Sequence, residues 1–298
     1  MKIVILGFNS FVGSAIASHF GTMTGVELVH IGRKDSDLHE VVKFEVVNDI
    51  DVLDESVDKL IAGLNLDNDS IVINCISMGD VDRCEVDKED CKAQNHLFVE
   101  SLYNHLKNYN FKKLIHFSTN AVYDGERAPY GENSQCHPVN FYGLVKLKAD
   151  EFLLGQQDPR VMVVRPITMY GRVPSGGRDN PTSMIIKKLQ DGQSLKLVND
   201  VLVNILYIGD LVRAVEKLIA VDFSGLINIS GNTVYSRYEL GLKISELIGA
   251  EKTLIESVTS AEFETIADRP LDTSFDNTLM REMDIRTRTL EQTINSLL

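Results

Sequence analysis

The chain has 298 residues, 44% of them hydrophobic and 24% charged, and a formal net charge of −13. That length holds one large domain or two smaller ones with ample core, at an ordinary globular composition. The acidic balance speaks against general nucleic-acid binding and against docking on anionic membranes, and no apolar run approaches the roughly 18 residues of a spanning helix.

The first apolar run, KIVIL (2–6), is too short for a signal-peptide core and reads as a β-strand leading into the helix FVGSAIASHF. Gly7 and Gly13 flank the turn between them, and the helix begins near Phe11. Such a turn presents backbone N–H groups and a helix N-terminus to a pyrophosphate, which makes Gly7, Ser10, Phe11, Val12 and Gly13 candidate cofactor-binding residues. Ser10 places a side chain where a close backbone approach is wanted, and its hydroxyl could donate to phosphate. The second strand, VELVHI (26–31), is followed by Gly32, Arg33 and Lys34. An NAD-binding chain often carries an acid here for the ribose hydroxyls. Two cations suit a 2′-phosphate instead, so NADPH is expected over NADH, with NADH left open.

VKFEVV (42–47) is a third strand, after which Asp49 and Ile50 would border the adenine. A helix over VLDESVDKLIAGL follows. SIVINC (70–75) is the fourth strand, KLIHFS (113–118) the fifth and RVMVVR (160–165) the sixth. Runs this rich in Val and Ile, and this continuous, suit strands covered on both faces. Their alternation with helices predicts a Rossmann-type, doubly wound parallel α/β sheet.

After Arg165 the texture changes. TMYGRVPSGGRDNPTS (168–183) reads as loop, IIKKLQDG, DLVRAVEKLIA and SRYELGLKISELIG as helices, the last capped by Ser236, and LKLVN and LINIS as short strands. The expected plan is a nucleotide-binding domain over 1–167, with 204–222 returning to it. Residues 168–203 and 223–298 form a smaller α/β lobe, with the substrate in a cleft between the two. Cys75, Cys84, Cys91 and Cys136 form no Cys-x-x-Cys pair and the histidines show no ligand spacing, so no metal is expected and the thiols read as those of a reduced, cytoplasmic protein.

Three Tyr-x-x-x-Lys pairs occur: Tyr103 with Lys107, Tyr109 with Lys113, and Tyr142 with Lys146. On a helix this spacing puts both side chains on one face. The first lies in a helix with nothing catalytic leading into it, and the second straddles a helix-to-strand junction. Only the third follows a strand that ends in hydroxyls, Ser118 and Thr119, at the carboxyl edge where ligands of open parallel sheets bind. An ammonium beside a phenol stabilises the phenolate and moves its pKa toward working pH, as a general acid requires.

With GFNSFVG, VINCISMGDVDRCE and AQN, FSTNAVYDG, FYGLVKLKADEF, VVRPITMYG, ISGNTVYSRYEL and RPLDTSFD in this order, the chain resembles an extended short-chain dehydrogenase/reductase. Within that superfamily it resembles the dTDP-4-dehydrorhamnose reductase group. The resemblance implies NADPH-dependent reduction of the C4 ketone of a nucleotide-linked 4-keto-6-deoxysugar. Tyr142 would be the proton donor, Lys146 would hold the nicotinamide ribose, and Thr119 would bind the substrate carbonyl. It places Ile76, Ser77, Met78 and Phe117 along the cofactor, makes Asn95 a structural hydrogen-bonder, and matches Arg165-Pro166 and Arg269-Pro270. Asn120 stands where the group has Asp, which bears on the sugar. Arg172, Arg178, Lys187 and Lys188 are cations available to a nucleotide-sugar pyrophosphate. The expected partner is a nucleotide-sugar substrate, not nucleic acid or membrane, and a homodimer is compatible with the chain. A sugar-nucleotide epimerase or dehydratase, or a non-catalytic NADP-binding regulatory subunit, is the alternative reading of the same residues.

Overall fold

The apolar runs become the strands of one parallel sheet in a computed structural model that describes residues 1–35, 39–174, 177 and 179–298. The N-terminal part runs β1 (Lys2–Leu6), α1 (Phe11–Phe20), β2 (Glu27–Gly32), β3 (Val41–Lys43), α2 (Ile50–Gly63) and β4 (Ile71–Asn74). It continues with α3 (Val81–Val86), α4 (Lys88–Lys92), a π-helical turn (Ala93–Leu97), α5 (Phe98–Leu106), β5 (Lys113–Phe117), α6 (Phe141–Gly155) and β6 (Val161–Pro166). The remainder runs β7 (Met169–Tyr170), α7 (Pro181–Gln190), β8 (Leu195–Val198), β9 (Leu202–Val203), β10 (Leu206–Tyr207), α8 (Ile208–Ala220), β11 (Gly225–Ile229), β12 (Tyr235–Ser236), α9 (Arg237–Ile248) and β13 (Ile255–Val258).

The sheet has seven strands in the order β11-β6-β5-β4-β1-β2-β3, every adjacent pair parallel. Strand order reverses between β1 and β4, so the crevice at their carboxyl ends is the natural ligand site of this topology. Both faces are packed, and successive residues point to opposite faces. Ile3 and Ile5 enter one core with Ile16, Phe20, Ile73 and Ile115. Val4 and Leu6 enter the other with Leu53, Val57, Val72 and Leu102. That double burial is why the strand sequences show unbroken apolar runs rather than alternation.

Three expectations are corrected. The third strand covers only Val41–Lys43: the Phe44 N–H gives the last ladder bond, to the Gly32 carbonyl at 3.2 Å, and its ring packs on Phe98, centroids 5.5 Å apart. The 168–183 segment is not all loop: Met169–Tyr170 pairs with β10, and α7 begins at Pro181 with Asn180 as its cap. Proline suits that first helical position because its missing N–H would have no partner there. Gly225–Ile229, expected in the C-terminal lobe, pairs with β6 and forms an edge of the main sheet, since α8 carries the chain back as a crossover. Among the described residues no helix is long and apolar enough to cross a membrane.

Candidate active site

The turn after β1 is committed to its glycines. Gly7 has φ +78°, and a Cβ there would lie 3.0 Å from the Cys75 carbonyl, while one on Gly13 would lie 2.4 Å from the Gly7 carbonyl oxygen. Ser10 is the N-cap of α1, its hydroxyl accepting from the Gly13 N–H at 3.0 Å. Phe11 and Val12 open the helix, and the first N–H groups of an α-helix have no partner within it. A tight turn with two such groups at the switch point fits a dinucleotide pyrophosphate. Arg33 and Lys34 are exposed beyond β2, and Arg33 lies 3.8 Å from Glu45. Asp49 caps α2, accepting from the N–H groups of Asp51 and Val52, so its carboxylate is already engaged, and Ile50 is half exposed beside it.

Three elements bring three hydroxyls together. Asn140 caps α6 by accepting from the Gly143 N–H at 2.8 Å, which starts the helix with Tyr142 in its first turn. Thr119, buried at the end of β5, accepts from the Ala121 N–H at 3.2 Å. The Tyr142 hydroxyl lies beside those of Thr119 and Ser77, which favour its phenolate against the rise caused by burial. Ser77 in turn donates to Asn95 Oδ1 at 2.7 Å. The π-helical turn holds Asn95 fully buried, where it accepts from the Met78 N–H and donates to the Met78 carbonyl, both at 3.1 Å. Single π-turns are frequent where a helix is bent to place a functional residue.

The other tyrosine–lysine pairs lie elsewhere. The Tyr103 hydroxyl donates to Asp158 at 3.1 Å, with Lys107 over its ring. Lys113 is the buried first residue of β5, its Nζ 2.8 Å from Asp222.

Lys146 has partners of its own within the chain. Helical spacing puts it on the Tyr142 side, but its buried Nζ donates to the Phe117 carbonyl at 2.6 Å and lies 3.2 Å from His116 Nε2. Burial lowers its own ammonium to about 8, against the pull of Asp150. Burial likewise raises the Tyr142 phenol, which the neighbouring Thr119 and Ser77 hydroxyls partly offset. In the chain alone the phenol is therefore held protonated, and the hydroxyls rather than the lysine moderate it.

Ser118 does not face the site: it donates to Asp150 Oδ2 at 2.7 Å, and Asp150 is paired at 2.8 Å with Arg165, both buried. The Arg165 match is thus structural, tying β6 to α6, with Nη1 donating to the Tyr123 hydroxyl at 3.0 Å. Asn120 donates to Thr273 at 2.7 Å. Thr273 belongs to the strap that begins at Arg269, which pairs with Asp82 at 3.0 Å, and runs against Gly125. Arg269-Pro270 therefore serves to lay a C-terminal segment over the turn after β5.

A cleft of about 570 Å³ opens in the C-terminal half between α7, β8 and the start of α9, with Met184, Lys196, Leu197, Arg237 and Phe263 in its lining. Arg237 Nη1 is closed off from solvent and has no hydrogen-bond partner among the described residues, and burial lowers the guanidinium to about 10. Sequence reasoning missed Arg237. Its one signal was a cation just after the capping Ser236, at the helix end whose dipole disfavours positive charge. Arg172 is exposed outside this lining, as are Lys187 and Lys188 on α7, and Arg178 lies outside the described residues. Also missed were His116 and Asn74, which the strand pattern marked only as core.

A family model described as the RmlD substrate binding domain matches residues 1–298. A probable low-salt glycan biosynthesis reductase of Haloferax volcanii is 27% identical over 88% of this chain and 84% of its own. A dTDP-4-dehydrorhamnose reductase of Mycolicibacterium smegmatis is 27% identical over 90% of this chain and 76% of its own. Among solved structures, a dTDP-4-dehydrorhamnose reductase of Clostridium acetobutylicum superposes with TM-score 0.83 at 24% identity, covering 100% of this chain and 99% of that one. One from Bacillus anthracis in complex with NADP superposes with TM-score 0.79 at 20% identity, covering 99% and 98%.

Proposed function

The chain belongs to the family of the RmlD substrate binding domain, and from that premise we propose that it is an NADPH-dependent reductase of the C4 ketone of a nucleotide-linked 4-keto-6-deoxysugar. The observation that carries this reading is the meeting of the Thr119, Tyr142 and Ser77 hydroxyls at the carboxyl end of a parallel sheet, beside a glycine turn that fits a pyrophosphate. The relatives named as reductases support it, as does the solved neighbour that carries NADP.

When bound, the reduced nicotinamide supplies the hydride. The protein's own residues do the rest. Phe11, Val12 and the glycine turn hold the pyrophosphate, Ile76, Met78 and Phe117 border the ring, and Lys146 donates to the ribose hydroxyls. Arg33 and Lys34 meet the 2′-phosphate, Arg33 by leaving Glu45. Thr119 donates a hydrogen bond to the ketone oxygen and orients it. As charge develops on that oxygen, Tyr142 delivers its proton, a role typically worth about 10²–10⁴ in rate. Raised by burial, the phenol keeps that proton until the oxygen needs it. Asn120, whose amide donates to Thr273, would border the sugar. The C-terminal cleft takes the nucleotide, with Arg237 and Lys196 toward its phosphates and Phe263 and Met184 against its apolar parts. Residues 1–167 with 204–222 and the edge strand thus serve the cofactor, and 168–203 with the rest of 223–298 the substrate.

The test is a screen of nucleotide-linked 4-keto-6-deoxysugars, following loss of NADPH absorbance. Turnover of at least one such ketone, abolished with its C4 alcohol, is the expected result. NADPH binding without consumption across the series would overturn the reading.

A further inference from the structure

A short stretch of chain runs from the C-terminal cleft to the elements that carry Tyr142 and Thr119. Phe263 is in the lining of the cleft. Just before it, Ser260 is pinned by Asp200, which accepts its N–H at 2.9 Å and its hydroxyl at 2.8 Å. Residues 261–266 are then all exposed. As the chain enters the strap it is fixed again. Asp82 of α3 accepts the Ala267 N–H at 3.0 Å and pairs with Arg269 at 3.0 Å. Between those two contacts, Asn140 Nδ2 donates to the Asp268 carbonyl at 2.9 Å. Two side chains, one from α3 and one from the cap of α6, thus grip three consecutive residues. Farther on, the Asp272 N–H donates to the Gly125 carbonyl at 3.3 Å, and Thr273 accepts from Asn120, the neighbour of Thr119.

Asn140 has two jobs. Its Oδ1 accepts from the Gly143 N–H and starts the helix of Tyr142. That contact orients the amide, because turning it over would set donor against donor at Gly143 and acceptor against acceptor at Asp268. The nitrogen therefore belongs to the strap. Asp80, not Asp82, caps α3, which leaves the Asp82 carboxylate to the strap as well. The two gripping elements are themselves joined, since the Phe141 N–H donates to Glu85 of α3 at 2.5 Å.

We infer that Asn140 and Asp82 are positioning residues for Tyr142: by gripping the strap, they align the phenol with Thr119 when the C-terminal lobe and the nucleotide end of the substrate are seated. The inference rests on the roles proposed above for the cleft and for Tyr142. Binding energy gained at the remote end of a substrate can in this way be spent on orientation at the reacting end. The grip suits such a task because it is modest: the Asp82 and Arg269 side chains are 37% and 35% exposed, and an ion pair open to water is weak enough to release.

The first test needs no ligand: hydrogen exchange of single amides in the whole protein, in Asn140→Ser and in Asp82→Ala. Serine caps a helix as asparagine does but has no amide to reach Asp268. Asp82→Ala leaves the cap of α6 untouched. The Asp272 N–H bonds to a backbone carbonyl and touches neither substituted side chain, so it reports the strap. Its exchange should quicken about tenfold or more in both variants, as expected of a segment that opens locally, while the Gly143 amide stays protected. Should Asn140→Ser expose Gly143 too, Asp82→Ala decides. Unchanged exchange at Asp272 overturns the inference and leaves the reading of the active site standing.

The second test is NADPH oxidation with an accepted ketone. In each variant kcat should fall by about 10–100-fold, the size of effect that a small misplacement of a reacting group produces. NADPH affinity and binding capacity should be kept, which a loss of folded protein would not allow. The double variant should be little worse than the poorer single one, because effects that pass through one strap do not add. Near-normal kcat with a loosened strap, or losses that multiply, overturns the inference. If the unaltered protein reduces no ketone, the functional reading fails, and the inference with it.

Discussion

A methyl group on Gly143 would lie 2.1 Å from the carbonyl oxygen of Ala121. The start of α6 thus rests directly on the backbone of the turn that carries Thr119, with nothing but a hydrogen atom between them. That contact sets how far Tyr142 stands from Thr119.

Gly143→Ala should therefore act on catalysis through geometry. Backbone atoms cannot rotate away, so the helix must lift, and an overpacked site of this kind costs about 1–3 kcal/mol in stability. Turnover should fall at least about a hundredfold as the Tyr142 hydroxyl leaves its partners, since small misplacements at reacting groups have effects of that size. Thermal unfolding and NADPH oxidation on one preparation measure the two effects. A folded variant with near-normal turnover would show that α6 does not position the proton donor.

Tyr142→Phe removes one oxygen and leaves the ring in its cluster with Phe141, Met78 and Val145. Folding and NADPH affinity should survive, and turnover should drop by about 10²–10⁴. Tyr103→Phe is the control, with a different cost. Its hydroxyl donates to Asp158, so stability should fall by about 1 kcal/mol while turnover is kept. Loss of activity in the control rather than in Tyr142→Phe would reverse the choice between the two pairs.

Ser77→Ala should show itself in the pH profile. The neighbouring Thr119 and Ser77 hydroxyls favour the Tyr142 phenolate, Ser77 by turning its proton from Asn95 to the phenolate oxygen, and so work against the rise caused by burial. Removing one of them raises the phenol further. Reduction needs the protonated phenol and is lost as pH climbs through its pKa, so the basic limb of kcat should move to higher pH in Ser77→Ala. A limb that moves down, or one that does not respond, would contradict the contact as the source of the moderation.

Cofactor choice should depend on three residues rather than two. Replacing both Arg33 and Lys34 with Ala should erase a preference for NADPH over NADH of about tenfold or more, the size expected from a charged hydrogen bond of roughly 1.5–3 kcal/mol. Glu45 sits 3.8 Å from Arg33 and competes with the 2′-phosphate for it. Glu45→Ala should tighten NADPH and leave NADH unchanged. Fluorescence titration of both cofactors checks this, and equal affinities in the unaltered protein would remove the role given to the cations.

The doubly wound sheet was legible because strands buried on both faces leave long Val- and Ile-rich runs, and β1, β4, β5 and β6 lie within one residue or so of those runs. β3 was overextended because an apolar run does not say where a chain turns away, and Phe44 had a core partner on α5 that only folding supplies. β11 was misplaced for a similar reason, since a strand sequence carries no mark of which sheet it joins. The proximity of Thr119 to Tyr142 was legible from their order along the chain, because residues that follow β5 and open α6 both lie at the carboxyl end of the sheet.

Local sequence determined the elements, the caps at Ser10, Asn140 and Ser236, and the face of α6 that carries Tyr142 and Lys146, all of which follow from contacts within a few residues. Which hydroxyl meets which was decided by tertiary structure. Ser118 and Thr119 are neighbours, yet one is drawn into the Asp150–Arg165 pair and the other is left to Tyr142. Lys146 likewise turns to Phe117 and His116, and Arg237 ends without a partner among the described residues in a cleft. A side chain's partner is set by where distant segments arrive in space, and burial then magnifies each charge and hydrogen bond that results.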